Sequence, residues 1–125
     1  MSLRKPKRLQ QGTVAHKRSP KQESEIAKRY GGELVRGSGC GAVKGDVRIE
    51  GVARIEAKTT ARKSYRLTLE DLAKIEQAAL SSDEVPIMEV EFIDKKGKPI
   101  NSIAIIPTWL LEEFLSDRIN GIPKS

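Results

Sequence analysis

Apolar positions along this 125-residue chain change their period several times, and each change marks an element. In Val52-Ala53-Arg54-Ile55-Glu56-Ala57-Lys58 the period is two: Ala53, Ile55 and Ala57 share one strand face, and Arg54, Glu56 and Lys58 the other. The preceding Arg48-Ile49-Glu50-Gly51-Val52 reads as a strand end and a tight glycine turn, which folds Asp46 back beside Glu56 in an antiparallel pair. Residues 86–93 also alternate, Asp94-Lys95-Lys96-Gly97-Lys98-Pro99 has the composition of a turn, and residues 100–106 complete a second hairpin. On the first strand of that hairpin Glu89 and Glu91 share a face, the expected place for solvated carboxylates.

Three segments have helical character. Ser19-Pro20 opens the first, with Ser19 as cap, Pro20 in the first turn and glutamates following, and Gly31-Gly32 ends it ahead of a short strand, Glu33-Leu34-Val35-Arg36. The second spans Leu69 to Leu80, where Thr68 caps and Asp71 sits at the third helical position in an approximate capping box. Its apolar face, including Leu69, Leu72, Ile75 and Ala79, is broad. The third opens at Pro107-Thr108 and runs to about Arg118, with Trp109, Leu110, Phe114 and Leu115 on its apolar side. Trp109 reads as a core or interface residue.

This length supports one domain with a modest core, and 38% hydrophobic with 4% aromatic residues suits a small α/β protein built on Ile, Leu, Val and Ala. No apolar run approaches the ~20 residues that span a bilayer, and the charged start lacks the apolar stretch of a signal peptide. A soluble, cytoplasmic protein without a membrane partner is expected. Cys40 is the only cysteine, which excludes an intramolecular disulfide and a cysteine zinc cluster.

The net charge of +6 is uneven: residues 1–21 hold seven basic residues and no acid, leaving 16 basic against 17 acidic in the rest. Residues 1–18 are expected to form a basic, disordered arm suited to phosphate backbones, His16 included, ahead of a single domain at 19–125.

The candidate chemistry lies in Lys44-Gly45-Asp46-Val47 and Ile55-Glu56-Ala57-Lys58. Two carboxylates on neighbouring strands provide the oxygen ligands that Mg²⁺ prefers, and a lysine beside them can orient a water or offset charge on a phosphate. The loop Gly37-Ser38-Gly39-Cys40-Gly41 lets backbone amides approach an anion. A Glu-x-Lys on one strand face also arises as a simple surface pair, so the spacing alone is a weak signal.

An acid-bearing helix, a strand, a Ser-Gly loop and then the Asp and Glu-x-Lys strands resemble, in this order, the PD-(D/E)xK nuclease superfamily, in particular the archaeal and phage Holliday-junction resolvases. The resemblance covers residues 19–93. It implies an α/β, restriction-endonuclease-like fold, a mixed central sheet flanked by helices. It also implies a metal-dependent, structure-selective endonuclease for DNA, a four-way junction above all, leaving 5′-phosphate and 3′-hydroxyl ends. Asp46, Glu56 and Glu23 would hold Mg²⁺, with Mn²⁺ able to substitute, Lys58 would be the catalytic lysine, and Ser38 would help place the scissile phosphate. Arg36, Lys44, Thr60, Ser64, Tyr65 and Lys74 would contact DNA, though Tyr65 suits a core position equally. A symmetric homodimer in a bacterial or archaeal cell, phage-encoded or not, is the implied setting.

Two departures accompany this. Gly-Asp stands where the superfamily name has Pro-Asp, and Glu25 competes with Glu23 in the same turn, although Ile26, Ala27 and Tyr30 at i+3, i+4 and i+7 favour Glu23. Two other readings share these residues: a sequence-specific or repair nuclease of the same superfamily, and a DNA-binding protein whose acids merely stabilise a strand pair.

Overall fold

A glycine turn and a capped helix account for much of the topology. The computed structural model describes residues 13–36 and 43–121. In chain order the elements are α1 (Val14–Tyr30), β1 (Glu33–Arg36), β2 (Val43–Ile49), β3 (Ala53–Thr60), α2 (Leu69–Leu80), β4 (Val85–Ile93), β5 (Pro99–Ile105) and α3 (Thr108–Asn120). The turn between β2 and β3 closes with Val52 N–H donating to the Ile49 carbonyl at 2.8 Å, and Gly51 takes φ +74°, which a side chain would resist. Glu84 secures it: its Oε2 accepts from Gly51 N–H at 2.9 Å and from Arg48 Nε at 2.6 Å. Burial alone would push the Glu84 carboxyl up, but Arg48 and the Gly51 amide outweigh it and hold the group below the usual carboxylate range.

The five strands form one mixed sheet in the order β1-β2-β3-β4-β5. Neighbours are antiparallel except β3 and β4, which run parallel and need a crossover that α2 supplies. The capping box read from Thr68 and Asp71 is formed, with Asp71 N–H donating to Thr68 Oγ1 at 3.1 Å. Only Ile75 and Ala79 of α2 are buried, so its wide apolar stripe is used along one narrow line, over Pro86 and Met88. On the opposite face α1 lies across β2 and β3, where Ile26 packs with Val47, Ile55 and Ala57. This is an α/β architecture with helices on both sides of a five-stranded sheet. No described helix is long and apolar enough to cross a membrane.

The first helix begins at Val14, not at Ser19. Thr13 caps it, accepting from His16 N–H at 3.1 Å, and Pro20 lies inside the helix, where it supplies no N–H to the His16 carbonyl. Residues 13–18 therefore belong to the capped helix and not to the expected arm, His16 lies in the first helical turn, and residues 1–12 lie outside the described residues. Contacts with the sheet offset the proline. Gln22, 1% exposed, donates to the carbonyls of Lys58 at 3.1 Å and Glu89 at 3.3 Å and accepts from Thr59 Oγ1. Arg18, also buried, grips Glu91 through Nε at 2.7 Å and Nη2 at 3.0 Å.

Glu89 and Glu91 are thus buried, not solvated: their face lies under α1, where Arg29 and Arg18 pair with them. The third helix departs from expectation too. None of its residues is buried, and Trp109, Phe114 and Leu115 remain exposed, because α3 follows an edge strand and stands away from the sheet core. The Gly37–Gly41 loop, with Ser38 and Cys40, lies outside the described residues.

The Arg18–Glu91 pair gives a stability prediction. Arg18→Ala leaves a buried carboxylate uncompensated and is expected to cost on the order of 3 kcal/mol in urea unfolding. Arg18→Met combined with Glu91→Leu should cost clearly less, since neither charge is then stranded.

Candidate active site

The β2–β3 hairpin places Asp46 opposite Glu56 in register. Directly paired residues share a sheet face, and alternation adds Arg54 and Lys58 to that face. Two ion pairs run along it: Lys58 Nζ lies 3.1 Å from Glu56 Oε1, and Arg54 Nε lies 3.4 Å from Asp46 Oδ2. All four side chains are partly or largely shielded from solvent.

The β2–β3 register extends from Ile49↔Ala53 to Asp46↔Glu56, whereas β3 continues beside β4 as far as Thr60. Beyond the paired carboxylates, Ala57, Lys58 and Thr59 line a cavity of about 450 Å³ together with Glu56. Its other wall is α1, which contributes His16, Pro20 and Glu23. A helix residue from one side of the sheet and strand residues from the other thus reach one space. The hydrogen bond from Gln22 to the Lys58 carbonyl fixes α1 against β3 at this point.

Glu23 is 6% exposed. Burial pushes its carboxyl above the usual range, and the negative charge of Asp46 pushes it further, which puts both acids in one electrostatic site. Glu25 points elsewhere: it is half exposed and held by Arg18, whose hydrogen bonds keep its carboxyl below the usual range. Of the two competing glutamates, Glu23 faces the cavity. Burial would pull the Lys58 ammonium down, but Glu56 more than compensates and holds it above its ordinary value. Lys58 is therefore a cation at neutral pH, suited to stabilising negative charge and not to accepting a proton.

Of the expected DNA contacts, Tyr65 is half-buried; its hydroxyl is pushed up by burial first, against the influence of Lys58, with Asp71 and Glu56 also acting. Thr60 ends β3 and accepts from Arg62 N–H at 3.1 Å, while Ser64 is exposed in the following loop. Lys74 does not line the cavity: it is 73% exposed and pairs along its own helix with Glu70 at 3.6 Å. The side chains of Arg36 and Lys44, and all of Ser38, lie outside the described residues.

Asp46, Glu56 and Glu23 offer only hard oxygen donors, the chemistry that Mg²⁺ or Mn²⁺ requires. Among the described residues no three acidic, histidine or cysteine side chains stand together as a cation cage. Asp46 and Glu56 instead turn an oxygen each toward Arg54 and Lys58. Burial first and the charge of Asp46 second raise the Glu23 carboxyl, and all three acids carry the type of oxygen donor that a divalent cation takes.

Sequence patterning assigned no role to three contributors. Arg54 was legible by alternation, as it shares the Glu56 face. His16 was hidden by the misplaced helix start. Gln22 had no local signal, for its backbone partners lie 36 and 67 residues away. The other flank of α1 carries a second groove of about 370 Å³ where Lys17 and Lys21 meet Lys96 from the β4–β5 turn. Comparison with known protein families, with curated proteins and with solved structures finds no match.

The two glutamates separate by experiment. Glu23→Gln removes a desolvated charge facing Asp46 and is expected to raise the melting temperature at neutral pH while lowering activity sharply. Glu25→Gln loses the Arg18 pair and should lower the melting temperature slightly with little effect on activity. The reverse pattern would place Glu25 at the site.

Proposed function

We propose that this protein is a metal-dependent DNA endonuclease with a restriction-endonuclease-like fold, acting on branched DNA such as a four-way junction. One observation carries the reading: Asp46 and Glu56 are paired across two strands with Lys58 adjacent, and Glu56 and Lys58 share a cavity with Glu23 of α1, on whose carboxyl the charge of Asp46 also acts. In this reading Asp46, Glu56 and Glu23 hold Mg²⁺, or Mn²⁺ in its place. The cation would supply Lewis acidity toward water and toward a phosphodiester.

The chain's own groups do the rest. Lys58, fixed by Glu56 and by the seating of α1 on its carbonyl, offsets the charge that builds on the phosphate oxygens as water adds to phosphorus. The bond from phosphorus to the 3′ oxygen breaks, leaving a 5′-phosphate and a 3′-hydroxyl. Arg54 holds Asp46 in place through their ion pair. Lys17, Lys21 and Lys96 extend a phosphate-binding track across α1, and the basic residues of the first twelve positions add to it. In this proposal Ser38 helps place the scissile phosphate, and Arg36, Lys44, Thr60, Ser64, Tyr65 and Lys74 are the DNA contacts. A cytoplasmic homodimer making paired incisions completes it.

A second reading has its own support. Asp46 and Glu56 are already compensated by Arg54 and Lys58, as in ion pairs that only stabilise a hairpin. A DNA-binding protein without catalysis would look the same on this face, but would leave DNA intact with or without metal.

Incubation with a four-way junction and a matched linear duplex, each with Mg²⁺ and with chelator, decides between them. Cleavage of the junction that needs Mg²⁺ is expected; cleavage of both DNAs alike would point to a different nuclease of this type. Asp46→Ala, Glu56→Ala and Lys58→Ala should each lose about 10³-fold in rate, or about 4 kcal/mol of transition-state stabilisation, with DNA binding largely kept. Turnover by Asp46→Ala at the unaltered rate would end the catalytic assignment.

The lysine track is read by salt. Changing Lys17, Lys21 and Lys96 to Gln should reduce the slope of log affinity against log salt by about 2 to 3, and removing residues 1–12 should reduce it further. Turnover at saturating DNA should persist in both. A deletion through residue 18 is a different experiment, since it also removes Arg18.

A further inference from the structure

The two edges of the sheet are treated in opposite ways. β1 spans four residues with a charge at each end, Glu33 and Arg36, the usual protection against further strand pairing. β5 spans seven residues without a single charge, in a chain that is 32% charged, and all but its last residue are exposed. Its free backbone edge and its exposed Ile100 and Ile103 are what natural edge strands avoid.

The helix after β5 repeats the anomaly. At 100° per residue, Phe114, Leu111, Leu115 and Ile119 lie on one arc of α3, and Glu112, Glu113, Ser116 and Asp117 on the other. No α3 residue is buried; Phe114 is 55% exposed and Ile119 66%. Arg118 is the one charge within the apolar arc, and its aliphatic stem extends that surface. On the sheet side an apolar groove of about 390 Å³, lined by Tyr30, Val52, Leu110 and Phe114 among others, continues the patch.

We propose that β5 and α3 form the docking surface for a second copy of this chain. β5 would pair antiparallel with its two-fold mate, joining two five-stranded sheets into one, and the apolar arcs of the two α3 helices would close over the seam. Three features favour a second copy over a different protein. Antiparallel pairing of identical strands is itself two-fold symmetric, so the contact closes at a dimer and leaves neither β5 edge open. Strand and helix are consecutive in the chain and meet a partner as one unit. The exposed apolar arc of α3 stands over one sheet face and Ile103, paired with Val90, flanks the seam on the other, so the contact would draw on both faces and the strand edge toward the ~800 Å² per partner of a standard interface. The proposal deepens the nuclease reading and rests on it only for the use of two sites in paired cleavage.

The test is sedimentation equilibrium over a wide dilution series, without DNA or metal. The unaltered protein is expected to show twice the chain mass. Leu115→Glu on α3 and Ile103→Lys on β5 should each raise the dimer dissociation constant at least ten-fold, and together give a monomer with unchanged circular dichroism. Hydrogen exchange supplies a readout that needs no variant: the β5 amides that point away from β4 should be protected in the concentrated protein and lose that protection on dilution, while those bonded to β4 stay protected throughout. An unaltered protein that is monomeric at every concentration would overturn the proposal and leave the surface to a different partner, as would a dimer indifferent to both substitutions. Because neither DNA nor metal enters the measurement, a failed nuclease reading leaves this result standing. A monomer that still cleaves would overturn the surface alone.

Discussion

The register of β2 against β3 is the constraint on which the rest of the site depends. Side chains alternate at every residue, so a slip of one position would send Asp46 or Glu56 into the layer beneath α1 and bring Val47 or Ile55 to the charged face. Three local features hold the register: the positive φ of Gly51, the short Ile49–Val52 hydrogen bond and the Glu84 carboxylate that accepts from both Gly51 and Arg48. Glu84 immediately precedes β4, so one buried side chain ties the turn of the hairpin to the start of the parallel strand beside it. The apolar cluster of Ile26, Val47, Ile55 and Ala57 results from that alignment.

A polar seam, as much as an apolar one, then seats α1. Gln22 spans the carbonyls of Lys58 and Glu89, and Arg18 and Arg29 answer the two buried glutamates of β4. Directional bonds of this kind leave the helix fewer ways to sit than apolar contact alone, because each unmet buried group would cost free energy. The rotation of α1 that results turns Glu23 into the cavity and Glu25 toward Arg18. The interior Pro20 lies on the cavity wall of the same helix.

The charges at the cavity are arranged unevenly. Asp46 and Glu56 each have a cation from β3, while Glu23 is desolvated and faces like charge. A desolvated carboxylate facing like charge costs stability, and in the nuclease reading proposed above that cost is retained for the site's use. It distinguishes this cluster from Glu89 and Glu91, which are as buried but have arginine partners.

Short-range chemistry is the part of this protein that its sequence determined alone. The Gly51 turn, the Asp46 and Glu56 pairing, the Thr68 capping box and the αL Gly31 that ends α1 all depend on residues within a few positions of one another, or on a period of two. The start of α1 was misread for a local reason. Ser19-Pro20 has the grammar of a helix beginning, and only bonds from Arg18 and Gln22 to distant strands make the turns before it worth forming. The same distance hid the burial of Glu89 and Glu91, since alternation tells which residues share a face but not what covers that face. The exposure of α3 was decided in the same way. Its apolar stripe is plain in the sequence, but whether a stripe finds a partner within its own chain is settled by where the sheet ends, and β5 is that end.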